Sequence, residues 1–228
     1  MTIIALDTCT ECCSAALLYQ GEMFECVEMT QRGHSDLILG MLDNVLQQAG
    51  ITMAEIDVLA FGQGPGSFTG VRVGVAVAQG IAFARELPVV GVSSLAAVAQ
   101  SAADSLNVDH LAVAMDARMG EIYCAHYQRQ ANGVVELIDK AQVCPPEQFK
   151  PEQDQQGTGV GTGWREYKDV LSTQFAQQLA TINADYYPQA KSIIKLAQVE
   201  IAAGNTLTAD QAMPVYLRNN VAKKKGEQ

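Results

Sequence analysis

Residues 61–74 read Phe-Gly-Gln-Gly-Pro-Gly-Ser-Phe-Thr-Gly-Val-Arg-Val-Gly, and the rest of the chain is organised around them. Three glycines and a proline fall within Gly62–Gly66, directly after the apolar run Ile56–Phe61 and before a run rich in Ala, Val and Gly. That order is strand, tight loop, helix N-terminus. Glycine lets a ligand or another chain segment approach closely. Free N–H groups at a helix start favour an anion such as phosphate. The loop therefore reads either as a nucleotide-handling loop or as a turn that opens a packed helix.

The chain has 228 residues, long enough for one domain or two small ones. With 48% hydrophobic residues it has the makings of a folded core. No apolar stretch is long enough to span a bilayer. Asp7 and Glu11 interrupt Met1–Cys13, and no basic start precedes it, so a signal peptide is not expected and the chain reads as cytoplasmic. The net charge of −10 argues against a freestanding nucleic-acid binder. The one basic run, Lys223–Lys225, lies in a tail at about 220–228 that reads as flexible and solvated. Cys9-x-x-Cys12 has ligand-like spacing, but no second pair follows, and the six cysteines read as reduced thiols on strands.

Ile3–Asp7 reads as a buried strand, and Cys13–Tyr19 and Glu22–Met29 as a hairpin around Gln20-Gly21. Ser35 is placed to cap a helix running to Ala49, with Ile38, Met41, Leu42, Val45 and Leu46 at helical spacing. Strands are expected at Ile56–Phe61 and Pro88–Val92, and helices over Val71–Arg85 and from Ser93 or Ser94 to about Leu106. The pattern then partly repeats: His110–Asp116 is again an apolar run ending in Asp, followed by Glu121–Gln130 and Gly133–Lys140 around Asn132-Gly133. This predicts two related halves, 1–106 and 107–228. Later, Cys144–Gly157 reads as an irregular loop, Gly157–Gly163 as a short strand and turn, Trp164–Leu179 and Ala190–Ala203 as helices, and Pro214–Arg218 as an extended piece.

The loop lacks the lysine of a phosphate-binding Walker sequence, since no lysine occurs before Lys140. Nor do its glycines lie in the first βα turn, where a dinucleotide fingerprint would put them. Asp7-Thr8-Cys9-Thr10 nevertheless sets a carboxylate and hydroxyls at a strand tip, able either to hold Mg²⁺ or to close a turn. Asp7, Thr8, Thr10, Gly64, Gly66 and Ser67 are thus the candidate ATP or ADP and Mg²⁺ contacts. His34, His110 and His126 are too scattered for a metal site, and no Gly-x-Ser-x-Gly elbow is present. Small residues alternate with bulky apolar ones along Val71–Arg85, so this helix is covered on all sides, by its own fold or by another subunit.

Taken together, "ALDTCT", "RGHSDLILGML", "GPGSFTGVRVG", "MDARMGEIY" and "PVYLRN" resemble the TsaB (YeaZ) family over essentially the whole chain. The resemblance implies a two-lobed actin/hexokinase/Hsp70-like (ribonuclease-H-like) fold with a reduced, divergent second lobe. It implies a role in forming threonylcarbamoyl-adenosine 37 in tRNAs that read codons beginning with A. The partners it implies are the paralogous transferase TsaD, as a heterodimer, and the ATPase TsaE, with homodimerisation in isolation and tRNA contacted only indirectly. The His-x-x-x-His metal motif of TsaD falls here on Ser94 and Val98, neither of which replaces an imidazole, and its late aspartate ligand has no counterpart. The expectation is therefore a non-catalytic scaffold with no catalytic or metal residues. The helices 35–49 and 71–85 are expected to carry the interface, with Ile38, Met41, Leu42, Leu46, Val73, Val77 and Ile81 as contact or core positions and His34 at the rim. The rival expectation is an active ATPase or kinase-like enzyme using Asp7.

Overall fold

The computed structural model describes residues 1–151 and 156–218; the Lys223–Lys225 run and the expected tail lie outside the described residues. Its elements, in order, are β1 (Ile3–Asp7), β2 (Cys12–Tyr19), β3 (Glu22–Met29), α1 (His34–Ala49), β4 (Val58–Gly64), α2 (Phe68–Arg85), β5 (Val89–Ser93) and α3 (Ser94–Leu106). They continue as β6 (His110–Arg118), β7 (Glu121–Arg129), β8 (Val135–Leu137), β9 (Gln142–Cys144), β10 (Gly157–Val160), α4 (Gly163–Glu166), α5 (Lys168–Gln174), β11 (Leu179–Asn183) and α6 (Ala190–Ala202).

The first sheet has the order β3-β2-β1-β4-β5 and the second β8-β7-β6-β10-β11, with β9 also paired to β7. In both, an antiparallel hairpin leads into strands that run parallel to the first. Asp7 and Asp116 occupy equivalent places near the ends of β1 and β6, so the half-repeat legible in "IIALD" and "LAVAMD" is a repeat of topology.

The helix that ends each half packs against the opposite sheet. α3 lies on β6, β7 and β8, whereas α6 crosses β1, β2, β4 and β5, and the two helices touch each other. One apolar cluster therefore runs from Ile3, Ala5 and Val92 through Leu95, Val98, Ile193 and Ala197 to Val113 and Tyr127. Neither 1–106 nor 107–228 carries this core alone. A second cluster lies under α1 and α2 on the outer face of the first sheet, and a third joins Ala114 and Cys124 to Phe149, Trp164 and Phe175.

Four local expectations need correction. Ser35 does not cap α1: Gly33 holds the N-cap position with φ 88° and no side-chain bond, and Ser35 lies inside the helix. α2 starts at Phe68 rather than Val71, because the Ser67 hydroxyl accepts the Gly70 N–H and fixes the first turn. Trp164–Leu179 is not one helix. The buried Trp164 ring donates its Nε1–H to the Ala112 carbonyl and Leu171 and Phe175 turn inward, while Leu179–Asn183 pairs in parallel with β10 as a strand. Gly133–Lys140 is cut to Val135–Leu137, since the Asp139 carboxylate takes the His126 backbone N–H. All six cysteines are free, and five of them are buried.

Candidate functional site

The candidate site forms where the β1–β2 turn meets the β4–α2 loop. Asp7 is fully buried. Its Oδ1 accepts the Cys9 N–H at 2.9 Å, while Oδ2 has no partner. Burial pushes its pKa from 3.8 up to about 7, against the lowering effect of the Cys9 bonds. A Cβ on Gly62 would overlap Asp7 Oδ2, one on Gly66 would overlap the Cys9 carbonyl, and one on Gly70 the Thr8 carbonyl. The glycines thus make room for the chain's own turn. Thr8, also fully buried, donates its hydroxyl to the Gly70 carbonyl at 2.7 Å, and the Ser67 N–H donates to the Cys9 carbonyl at 2.7 Å. Around the start of α2, the N–H groups of Ser67, Gly70 and Val71 are bonded within the protein, to the Cys9 carbonyl, the Ser67 hydroxyl and the Ser67 carbonyl.

A cleft of ≈ 640 Å³ opens beside this junction, between the two sheets. Among the sequence candidates it takes in Thr10, Gly66 and Ser67, but not Asp7, Thr8 or Gly64. Gly64, with φ 99°, faces the chain near Val215 instead. Arg118, Arg165 and Arg218 reach the cleft, yet each is paired with a carboxylate: Asp116 at 2.9 Å, Asp185 at 2.8 Å, and Glu121. Arg32 lines the cleft as well, with Glu11 and Glu166, so its wall carries both signs of charge. The buried, sealed Asp7 does not fit the Mg²⁺-positioning role.

Comparison with known proteins places the chain. Residues 28–226 match the family model described as TsaD, tRNA N6-adenosine threonylcarbamoyltransferase. A Haemophilus influenzae protein named tRNA threonylcarbamoyladenosine biosynthesis protein TsaB is 42% identical over 233 residues, covering 99% of this chain and 97% of its own. The Escherichia coli K12 protein of the same name is 40% identical, over 99% and 98%. The chain belongs to the TsaB family. The structure of YeaZ from Pseudomonas aeruginosa superposes on it with a TM-score of 0.89 at 40% identity, over 95% of this chain and 99% of that one. The fold of YeaZ is thereby the fold of this chain, with its two sheets as two lobes.

The positions that a TsaB–TsaD comparison singles out, Ser94 and Val98, are both buried at the start of α3. Among the described residues no group of three or more His, Cys, Asp or Glu is placed to hold a metal ion. No helix among them is long and apolar enough to cross a membrane.

The interface candidates divide by burial. Ile38, Met41, Leu42 and Leu46 are at most 6% exposed and pack on the first sheet, so they are core residues and not partner contacts. Val73, Val77 and Ile81 are half-buried, the last two against the same core. His34 is half-buried and donates Nε2–H to the Thr10 carbonyl at 2.7 Å, tying α1 to the hairpin tip. Besides its two ends, α2 leaves Arg72, Ala76, Gly80 and Phe83 exposed, the last at 81%, and the exposed residues of α1 include Leu39, Gly40 and Asp43. The sequence reading left the bulky residues as contact or core positions and named none of this outer face. The 3.6-residue spacing of Arg72, Ala76, Gly80 and Phe83 was the available signal. It also missed Tyr216 and Arg218, whose importance depends on contacts about 100 or more residues away in sequence.

Proposed function

We propose that this chain is a non-catalytic scaffold subunit for threonylcarbamoylation of adenosine 37 in tRNAs reading codons that begin with A. It acts by dimerising with a TsaD-type transferase and by helping to recruit a TsaE-type ATPase; tRNA meets the complex through the partners. The observation that carries this reading is the sealed Asp7: the carboxylate on which the enzyme reading depends is enclosed by the loop that would have to present a substrate to it.

The outer faces of α1 and α2 are the interface in this reading, with Leu39, Ala76, Gly80 and Phe83 as the contacts. Small residues there let a partner helix approach closely, and Phe83 supplies an apolar anchor. The same face closes a homodimer when the transferase is missing. ATP or ADP, where it binds, occupies the cleft beside Thr10, Gly66 and Ser67 as a regulatory or interface ligand. The cytoplasm, where tRNA is modified, is the location this role requires.

The test is tRNA modification reconstituted from the transferase, the ATPase and this chain. Product formation should fall to background when the chain is withheld and return when it is added. Full-rate modification without it sinks the scaffold reading. Phosphate release from ATP by the isolated chain, lost in Asp7→Asn, would establish the enzyme reading instead.

A further inference from the structure

The last described stretch of chain passes from one lobe to the other across the cleft. After α6 it returns to the first sheet, where Leu207 and Val89 exchange two backbone hydrogen bonds of 2.8 and 2.9 Å. Ala212 is buried, and its carbonyl accepts Gln79 Nε2–H from α2 at 2.7 Å. The Val215 N–H donates to the Gln63 carbonyl at 2.8 Å, and Val215 runs so close to Gly64 that a Cβ there would lie 2.8 Å from its carbonyl oxygen. The Arg72 guanidinium stands 3.2 Å from the Phe68 ring centroid and 5.1 Å from that of Tyr216. Up to this point every anchor belongs to the first lobe.

Two residues later the contacts are all in the second. Arg218 donates to the carbonyls of Ala117 and Arg118 at 3.2 and 3.3 Å and pairs with Glu121. Arg118 and Met119 hold left-handed backbone (φ 60° and 61°) in the β6–β7 turn that receives it. Among the described residues, no hydrogen bond or ion pair joins the Asp7–Glu11 turn or the Gly62–Phe68 loop directly to β6, β7 or the Thr162–Tyr167 segment. The lobes share the α3–α6 core on the inside, and the strap supplies the polar connection at the mouth.

We propose that residues 212–218 form an interlobe clasp that sets the opening of the cleft, with Arg218 as its latch. Its Nη2 lies within hydrogen-bond distance of the Ala117 and Arg118 carbonyls and the Glu121 carboxylate, and Nη1 donates to the Met119 sulfur at 3.7 Å. Its side chain is 17% exposed and that of Glu121 is 32% exposed, so water screens the pair less than a surface ion pair. Because Val215–Arg218 also line the cleft, anything that enters between the lobes must lie against the clasp or release it.

The test uses the full chain, with Arg218→Ala and, should that variant fail to fold, Glu121→Gln. Hydrogen exchange should rise by about tenfold at the Val215 amide and in the 117–121 turn together, while β1 and β6 stay protected. Spin labels carried on unnatural residues at the exposed positions Glu86 and Lys168 should report a longer, broader interlobe distance. The charge-reversed pair Arg218→Glu with Glu121→Arg should recover part of both effects. An unchanged distance overturns the clasp and leaves a passive strap, as does a rise in exchange confined to the 117–121 turn.

Discussion

The carboxyl of Asp7 lies directly beneath Gly62, in a space that a single added methyl would fill. This contact decides the character of the glycine loop, because the loop closes over the strand tip. Gly62→Ala should therefore destabilise the protein by about 3 kcal/mol or more, through overpacking and strain at a fully buried site. Gly80→Ala is the matched control. Nothing lies within 4 Å of a Cβ there, so it should be neutral or stabilise the helix by roughly 0.5–1 kcal/mol. Urea denaturation of the two variants checks the contrast.

Asp7 also predicts a pH dependence. Its folded pKa is raised to about 7 from 3.8. Below pH 3.8 the group is protonated in both folded and unfolded states and costs nothing. As pH rises through this interval the unfolded chain loses the proton first, so stability falls until pH passes about 7 and then levels off. Asp7→Asn abolishes this contribution. The variant should match the parent near pH 4 and exceed it at pH 8, by an amount on the order of 4 kcal/mol at most. Paired urea titrations at the two pH values measure the difference, and equal stability at pH 8 contradicts the sealed-carboxyl account.

The two sides of the helix pair should respond oppositely to charge. Leu42 is 1% exposed, so Leu42→Glu should unfold the chain by burying an unpaired carboxylate. Ala76→Glu and Gly80→Glu lie on the exposed face and should leave the melting temperature within a few degrees of the parent. They should nevertheless abolish co-purification with the TsaD-type partner. Circular dichroism alongside affinity co-purification separates loss of fold from loss of docking.

In the second lobe, Asp139 holds His126 twice, accepting its backbone N–H at 2.8 Å and bonding Nδ1 at 2.6 Å. The imidazole lies 4.7 Å from the Phe149 ring centroid. Asp139→Ala leaves both nitrogens without this acceptor and should cost about 2–3 kcal/mol. Chemical denaturation measures the loss, and histidine ring resonances report the freed imidazole. A stability within about 0.5 kcal/mol of the parent, the range of a neutral surface change, would show that the pair contributes nothing net.

The sequence by itself determined the order of strands and helices in the first half, the two-lobed fold and the family. Those features reside in local signals: alternation in β1–β3, the helical spacing in α1, and a glycine loop whose neighbours are specified residue by residue. It also carried the Asp7–Asp116 correspondence, because a repeated strand keeps its apolar run and terminal carboxylate. Only the tertiary structure decided what those residues do. Asp7 could read as a magnesium ligand until the turn that carries it was seen packed under Gly62, Gly66 and Gly70, which removes it from the cleft. Gly80 could not be assigned to the surface from composition, since α2 is rich in Ala, Val and Gly and has no strongly polar face to orient it. The break at Tyr167, beside the bond from Trp164 to Ala112, and the reach of Arg218 to Glu121 arise from contacts between segments far apart in sequence, and no local window contains both partners.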